Sequence, residues 1–532
     1  MELDKDIRST QEVRNLVAKA KIAQLEFKHF NQAQVDKIVK AMADAGYEAR
    51  ERLAKMANEE TGFGIVEDKI TKNIFGSRTV YESIKSLKTV GIIDIQENGK
   101  IVKIAEPMGV VAALIPSTNP TSTAMYKAII SLKTRNAIVV SPHPKALMCT
   151  SEALQIMSDA AESAGAPKGL IQCMTIPTLE GTHALMKHKD VSIILATGGN
   201  PMVKAAYSAG TPAYGVGSGN VPSFIERSAN YEKAVLDILD GTTFDNGTLC
   251  SSEQSMIVDR PIVEKVRAFT KANGGYFVTK DEKVKLENTV LKNGRINPEI
   301  VGKSATYIAQ YAGFTVPDST RVLLADCTRV GKEEPLSVEK LSPILAFYEV
   351  DGWLDGCHKC IDLLNFGGIG HTMAIHSNDQ EIIMKFAMEK PAFRIIVNSP
   401  SSLGAVGYTT ALDPSLTLGV GTWGGSIISE NVTAKHLMNI KTLAFETNPI
   451  NKGTSVNSLG SSQIGNSFGS SGNGSFLEQI EDRLRARAGN PVIDANKNYS
   501  NNYNSTLVRS NKKLGNGITE TEIERIIKEF NS

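Results

Sequence analysis

The sequence predicts an α/β protein in which helices cover parallel sheets. From Gly109 onward, strand-like runs of apolar residues alternate with segments of helical periodicity. The strand-like runs are 110–115, 137–141, 172–176 and 191–196, and the helical segments are 122–132, 151–164 and 201–209. This alternation is typical of right-handed βαβ units around a parallel sheet. The 532 residues, 41% of them hydrophobic, suffice for two or three domains with separate cores.

Helices and a hairpin are predicted before the first sheet. Residues 11 to about 60 place apolar side chains at helical spacing. Residues 91–105 alternate in polarity on both sides of Asn98-Gly99, the preferred dipeptide of a type I′ turn. We therefore predict a β-hairpin over about 90–106. A second α/β lobe is expected from Cys250 to about residue 425, followed by an arm over 426–447.

The composition changes abruptly in a C-terminal tail, residues 448–532. Residues 451–474 are almost entirely Gly, Ser, Asn and Thr, which is typical of a flexible linker. Two amphipathic helices are predicted beyond it, over 476–488 and 518–530. In the second, Ile523, Ile526, Ile527 and Phe530 form one apolar stripe. A helix this short is marginal in water, so we expect the stripe to need a partner.

Charge and cysteine usage exclude several classes of protein. A net charge of +1 argues against binding to nucleic acid or to a membrane surface. The first residues lack the apolar segment of a signal peptide, and no apolar stretch is long enough to span a bilayer. Six cysteines in a chain of this length do not form a disulfide framework. Cys357 and Cys360 lack a second ligand pair, so we interpret them as thiols on a helix and predict no metal site.

Cys250 is the candidate nucleophile. It lies in a small, polar, glycine-containing turn, residues 244–254, just before the apolar run 255–258. A thiol at the point where a turn enters a core can face a cleft with backbone N–H groups around it. The alternative is a buried cysteine that acts only as a small hydrophobic residue.

Seven segments in one order make the chain similar to a known family. They are 106–111, 115–120, 141–144, 196–199, 244–254, 339–343 and 368–372. Together they resemble the aldehyde dehydrogenase superfamily, in particular its coenzyme-A-acylating branch. That branch includes the acetaldehyde-dehydrogenase half of bifunctional aldehyde–alcohol dehydrogenases and the propionaldehyde dehydrogenases of bacterial microcompartments.

The resemblance implies a fold and an assembly. It implies two Rossmann-like parallel-sheet domains, which we place at 1–249 for the cofactor and at 250–425 for catalysis. The hairpin and the 426–447 arm are then oligomerisation elements, and we expect a homodimer or a dimer of dimers.

The resemblance also implies roles for residues in catalysis. An aldehyde gives up hydride after a thiolate adds to it, and the resulting oxyanion needs hydrogen-bond donors. Cys250 matches the nucleophile and Asn119 the side-chain amide donor, although Asn119 also suits a turn before Pro120. His371 is a candidate for proton transfer from the incoming thiol, and a purely structural role is the alternative.

Cofactor residues follow from the same segments. Thr197, Gly198 and Gly199 end a strand and open a helix, so their backbone N–H groups suit a pyrophosphate. The alternative, favoured by these residues without the resemblance, is a Gly-Gly turn with no ligand. Ser141 and Pro142 occupy the place where hydrolytic relatives hold the adenosine ribose with a lysine and a glutamate, and both charges are missing there. We expect NAD, with NADP left open. Glu339 matches the glutamate that binds the nicotinamide ribose; a solvated helix cap is its alternative.

The lack of a glutamate that hydrolytic relatives carry indicates which molecule accepts the acyl group. Hydrolytic relatives carry a glutamate that activates water, but residues 214–220 are glycine-rich, with Gly215 at or beside that position. We assign Gly217 of this stretch to the cofactor site. Without a positioned base, hydrolysis loses about 10²–10⁴-fold in rate, whereas coenzyme A brings a thiol that ionises readily. The glycines are also expected to leave room for its pantetheine arm.

The sequence thus predicts an acylating oxidoreductase for a short-chain aldehyde, with propionaldehyde favoured. A hydrolytic dehydrogenase and a non-catalytic cargo adaptor are the alternatives. The tail resembles peptides that direct enzymes into microcompartments, so we expect shell proteins as partners and a microcompartment within the cytoplasm as the location. The alternative is that the last helix docks back on its own enzyme.

Overall fold

The computed structural model describes residues 4–450, and both predicted tail helices lie outside these residues. The described chain begins with a run of helices. They are α1 (Lys5–Phe27), α2 (Gln32–Glu48), α3 (Arg50–Thr61), α4 (Val66–Ile74) and α5 (Val80–Ile84). Of these helices, only α1 packs directly on strands of the first sheet. The apolar faces of α1 and α2 lie in the first core, which confirms the helical prediction for residues 11–60.

The predicted hairpin is present as β1 (Gly91–Gln96) and β2 (Ile101–Pro107), paired antiparallel. Asn98 and Gly99 have φ of 52° and 88°, the signs that a type I′ turn requires. Glu97 is also left-handed, with φ 50°, so the pairing ends at Gln96 and Ile101.

The first sheet is fully parallel, in the order β5-β4-β3-β6-β7. Its strands are β3 (Val110–Ile115), β4 (Ala137–Pro142), β5 (Ile171–Cys173), β6 (Val191–Thr197) and β7 (Ala213–Val216). The accompanying helices are α6 (Pro120–Lys133), α7 (Leu147–Ser163), α8 (Leu179–Met186) and α9 (Asn200–Tyr207). The predicted alternation is confirmed, and the buried strands β3 and β4 are apolar throughout or nearly so, as expected for a sheet covered on both faces.

The second sheet has the order β10-β13-β14-β9-β8-β15-β16. Its lobe contains the strands β8 (Val221–Ile225), β9 (Glu253–Asp259), β10 (Gly275–Phe277), β11 (Leu291–Lys292), β12 (Arg295–Ile296), β13 (Val322–Asp326), β14 (Ile344–Val350), β15 (Gly370–His376) and β16 (Ala392–Val397). Strands β11 and β12 form a separate pair. The helices in this part are α10 (Tyr231–Thr243), α11 (Val263–Ala272), α12 (Lys280–Val290), α13 (Ala305–Ala312), α14 (Trp353–Phe366), α15 (Gln380–Met388) and α16 (Ser401–Ala405).

The predicted boundary at 249/250 is too late for this sheet. Strand β8 pairs with both β9 and β15, so the chain enters the second lobe between Val216 and Val221. The local sequence does not show the partners of Val221–Ile225, because β9 and β15 follow later in the chain.

The chain then returns to the first lobe. Leu418, Val432 and Leu437 belong to the first core, so this return starts before the arm predicted at 426–447. The Tyr126 hydroxyl on α6 donates to the Val432 carbonyl and contacts the Ser415 hydroxyl at 2.9 Å. The last strand, β17 (Met438–Ala444), pairs antiparallel with β2, so hairpin and arm form one three-stranded sheet within a single chain.

Three further observations concern membrane-spanning helices, metal sites and cysteine thiols within residues 4–450. No helix in this range is long and apolar enough to cross a membrane. In the same range no cluster of three or more His, Cys, Asp and Glu side chains is arranged to hold a metal ion. Cys357 and Cys360 are free, buried thiols on α14, and the Lys390 ammonium contacts the Cys357 sulfur.

Candidate active site

A cavity of about 430 Å³ lies between the carboxyl ends of the first sheet and the second lobe. Seven of the predicted site residues line it. They are Asn119, Thr197, Gly198, Gly199, Gly217, Cys250 and Glu339. Residues that are 220 positions apart in the chain therefore meet in one cleft, as is usual at the carboxyl edge of a parallel sheet.

Cys250 lies between a strained turn and the start of β9. Asp245 and Asn246 in the turn are both left-handed, with φ of 50° and 52°. Burial raises the pKa of the Cys250 thiol to about 12, and the nearby Glu339 carboxylate adds to this rise. The Arg394 guanidinium and the Lys72 ammonium oppose it. A thiol with so high a pKa needs positive charge or a proton acceptor beside it before it can act as a nucleophile.

Asn119 immediately precedes α6 and has a tightly held carbonyl end. Its Oδ1 accepts a hydrogen bond from Lys72 Nζ at 2.6 Å. Its Nδ2 donates to Thr118 Oγ1 at 3.2 Å and to the Thr248 carbonyl at 3.4 Å. These two bonds are long, so the amide N–H groups are the loosely held end of the side chain and are suited to meet a developing oxyanion.

Glu339 is the only carboxylate among the residues that line the described cavity. Its Oε1 accepts a hydrogen bond from the backbone N–H of Gly219 at 2.9 Å. Burial raises its pKa to about 7. The side chain is thus tied to the glycine-rich loop that links the two lobes.

That loop is glycine-rich because protein atoms fill the space of its missing side chains. An added Cβ on Gly215 would lie 2.6 Å from the Tyr207 hydroxyl, and one on Gly219 would lie 2.1 Å from the Cys250 carbonyl oxygen. A Cβ on Gly217 would lie 2.2 Å from Asn200 Oδ1. A glutamate therefore has no room at Gly215. The expected space for a pantetheine arm is not provided by these glycines, which instead bring the loop against Cys250.

Gly198 differs from the loop glycines. An added Cβ there would meet nothing within 4 Å, so the backbone at the amino end of α9 faces open space in the cavity. A backbone with free approach, next to the N–H groups that start a helix, fits a phosphate-bearing ligand.

His371 lies behind the loop and outside the cavity lining. It is fully buried, its Nδ1 contacts Thr372 Oγ1 at 2.9 Å, and its ring lies against Gly219. Its Nε2 has no partner among the described residues. Burial lowers its pKa to about 3, so the ring is neutral. A role in proton transfer stays a prediction, and it needs a path past Gly219.

Ser141 and Pro142 do not reach the cavity. The Ser141 hydroxyl contacts that of Thr182 at 2.8 Å within the first lobe, and the cavity wall is formed by His143 and Lys145 instead. Residues 141–144 carry neither a lysine nor a glutamate, but the next residue, Lys145, brings a cation to this wall of the cavity.

A buried charged cluster that was not predicted from the sequence lies beneath Asn119. Lys69 and Lys72 on α4 both pair with Asp245, and each of the three side chains is less than 5% exposed. In the sequence, the only indication of this cluster was the position of Asp245 within the Cys250 turn. Arg394, also buried, is the other basic residue near Cys250 that sequence reasoning did not select.

Comparison with known proteins identifies the family. The aldehyde dehydrogenase family matches residues 6–311. The chain belongs to the aldehyde dehydrogenase family. Its relatives include the bifunctional aldehyde-alcohol dehydrogenase of Escherichia coli, 46% identical over 443 residues, which cover 82% of this chain and 50% of that enzyme. The chain thus spans about half the length of the bifunctional relatives that it matches.

Solved structures match over most of their length. An acetylating aldehyde dehydrogenase from Geobacillus thermoglucosidasius is 52% identical with a TM-score of 0.84, covering 85% of this chain and 100% of that one. A propionaldehyde dehydrogenase from a Clostridium phytofermentans fucose utilisation microcompartment is 30% identical, with a TM-score of 0.74 and coverage of 81% and 97%. The Rhodopseudomonas palustris propionaldehyde dehydrogenase, with bound CoA and an acylated cysteine, is 29% identical, with a TM-score of 0.73 and the same coverage.

Proposed function

We propose that this chain oxidises a short-chain aldehyde and transfers the acyl group to coenzyme A, with NAD⁺ as the hydride acceptor. The observation that carries the proposal is a thiol and an amide in one cavity whose single lining carboxylate among the described residues, Glu339, is already bonded to a backbone N–H. Gly215 on β7, at or beside the place of the water-activating glutamate, is packed against Tyr207 and Val203 and has no space for a longer side chain. Such a site favours acyl transfer to a thiol over hydrolysis.

In this proposal each residue has one task. Cys250 Sγ adds to the aldehyde carbon, and the Asn119 amide donates to the oxygen that becomes negative. Thr197, Gly198 and Gly199 would bind the nucleotide phosphates, Gly217 would belong to the same cofactor site, and Glu339 would hold the nicotinamide ribose. A bound NAD⁺ would supply the hydride acceptor, so that the acyl group remains on Cys250 Sγ as a thioester. The coenzyme A thiol then attacks this thioester, takes the acyl group and releases the Cys250 thiol.

The aldehyde is proposed to be short and uncharged, with propionaldehyde as the first choice. A second, narrow space shares Leu249 with the main cavity and is bounded mainly by apolar side chains, among them Phe75, Phe244 and Tyr408, with Lys72 and Thr71 also in its lining. Rates for acetaldehyde, propionaldehyde and butyraldehyde test this, with discrimination of about 1–3 kcal/mol expected for each methylene. Equal rates for a charged aldehyde, such as succinate semialdehyde, would contradict it.

The decisive experiment is turnover with and without coenzyme A. With aldehyde and NAD⁺ alone we expect a burst of NADH that stops when Cys250 is acylated. Adding coenzyme A should restore continuous turnover and give the acyl thioester. Continuous NADH formation without coenzyme A, at a similar rate, would instead support the hydrolytic alternative, and no burst at all would support the cargo-adaptor alternative.

A homodimer or a dimer of dimers is proposed through the three-stranded sheet. Its outer strand β17 leaves Ile440 and Leu443 about half exposed, at 45% and 47%. Apolar residues on an exposed edge strand are typical of a surface that is covered in the assembly. Light scattering at micromolar concentration tests this, and a monomeric mass would refute it.

Microcompartment cargo is the proposed cellular role, with shell proteins bound by the tail. The support is the apolar stripe of 518–530 and the similarity to an enzyme of a microcompartment. Residues 475–532 fused to a fluorescent protein should form foci in cells that produce shells. Diffuse fluorescence would oppose the role, and loss of activity after truncation at residue 450 would favour a tail that docks on its own enzyme.

A further inference from the structure

A buried lysine holds the amide that faces the proposed oxyanion. Lys72 is 4% exposed and lies on α4, outside both sheets. Its Nζ donates to Asn119 Oδ1 at 2.6 Å and to Thr248 Oγ1 at 3.0 Å, and it pairs with Asp245. These partners come from two separate parts of the chain, Asn119 before α6 and the pair Asp245 and Thr248 in the Cys250 turn.

The hydrogen bond from Lys72 fixes the orientation of the Asn119 amide. A lysine ammonium has only donors, so it can meet the oxygen of Asn119 and not its nitrogen. The Nδ2 donors are thereby turned away from Lys72, toward the wall formed by Thr118 and Thr248. A positive charge on the carbonyl oxygen also draws electron density from the amide, which makes its N–H groups stronger donors.

We propose that Lys72 is a positioning residue for the reaction: it orients and polarises the Asn119 amide for the oxyanion formed at Cys250. This inference rests on the proposed function, in which Asn119 is the oxyanion donor. It predicts that Lys72 contributes to the acylation step and that this contribution disappears when Asn119 is absent.

The neighbouring Lys69 provides a matched control. It is one helical turn earlier on α4, equally buried, and pairs with the same Asp245 oxygen at 3.0 Å. Its other contact is the Thr118 carbonyl at 3.4 Å, and no contact joins it to the Asn119 side chain in the described structure. Removal of either lysine leaves Asp245 paired with the other, so neither variant strands a buried carboxylate.

The test is the rate of the NADH burst in the full-length enzyme, with saturating aldehyde and NAD⁺ and no coenzyme A. Losing one oxyanion donor costs about 10²–10³-fold in such enzymes, so Lys72→Met, which misplaces the donor, should slow the burst by about 10–100-fold. Lys69→Met should stay within about threefold of the native rate. In an Asn119→Ala background, Lys72→Met should have no further effect, since the two residues act as a unit.

Each result decides the proposal. Equal losses in the two lysine variants, or additive losses in the double variant, would overturn it and leave Lys72 with a structural role. Burst amplitude and thermal melting report the folded fraction of each variant. If Lys72→Met unfolds, Lys72→Gln, which keeps a neutral hydrogen-bond donor, replaces it. A native burst rate in Lys72→Gln would show that the positive charge is not required and would overturn the proposed polarisation of the Asn119 amide. If the native enzyme itself gives no burst, the proposed function fails, which is distinct from a native burst that Lys72→Met leaves unchanged.

Discussion

Replacing Gly219 by alanine tests whether the glycine-rich loop sets the position of the thiol. The new Cβ would lie 2.1 Å from the Cys250 carbonyl oxygen and 3.3 Å from the His371 ring. Non-bonded heavy atoms prefer about 3.5–4.0 Å, so the loop or the Cys250 backbone must move by about 1 Å or more. A shift of about 1 Å costs about 10²-fold in rate, which corresponds to about 2.7 kcal/mol of activation free energy. Gly219 does not have a positive φ, so the effect is steric alone.

The assay is again the single-turnover NADH burst, measured over a range of nucleotide concentrations. Gly219→Ala should lower the limiting rate about 100-fold. The matched control is Gly198→Ala, where the added methyl group meets nothing within 4 Å in the protein but occupies the nucleotide side of the cavity. It should raise the nucleotide concentration needed for half-saturation and leave the limiting rate nearly unchanged. A limiting rate for Gly219→Ala within about threefold of native would refute the reasoning, because the loop would then absorb the methyl group.

Three further variants test charges of the site and of the second lobe. Glu339→Gln should raise KM for the nucleotide by about tenfold. In the native enzyme, nucleotide binding should weaken as pH falls through about 7, where the Glu339 carboxylate takes up its proton, and this pH dependence should be absent from Glu339→Gln. Lys145→Ala should weaken binding of NADP⁺ more than that of NAD⁺ in a fluorescence titration, since the lysine is the cation beside the proposed ribose site. Equal effects on the two nucleotides would show that Lys145 does not contact the 2′-phosphate. Burial raises the pKa of Glu253 to about 8, above its unfolded value, so its stabilising contribution is complete at acidic pH and is lost as pH rises through about 8. Glu253→Gln should therefore flatten the fall of Tm between acidic and alkaline buffer, and parallel curves for the two proteins would contradict this.

The first sheet was predictable from local sequence because each signal lies within its own element. The apolar run Val110–Ile115 is a strand with the predicted bounds, and the Asn98-Gly99 dipeptide has the backbone signs that its composition requires. Both features depend on side chains no more than a few positions apart. The residues around Cys250 were also found locally, because small polar residues in a turn before an apolar run form a short-range pattern.

Features that depend on distant partners were missed. Lys72 and Asp245 are separated by 173 positions, and a lysine on a polar helix looks solvated until its partner is placed beside it. The lobe of Val221–Ile225 was misassigned for the same reason, since its partner strands β9 and β15 come later in the chain. Burial of a charge is thus a property of the assembled fold, and the residue periodicity of α4 does not predict it.

The two passages of the chain between the lobes have a mechanical consequence. The first passage is the glycine-rich loop after Val216, and the second is the return before Leu416, fastened by Tyr126 to the backbone of Val432. The buried pairing of Lys69 and Lys72 with Asp245 is a further connection between the lobes, and it lies in the Cys250 turn. Because the first joint contains Gly219, which packs on the Cys250 carbonyl, a change in the relative orientation of the lobes would also displace the atoms on that carbonyl. Opening of the cleft and alignment of the nucleophile are therefore coupled in this chain.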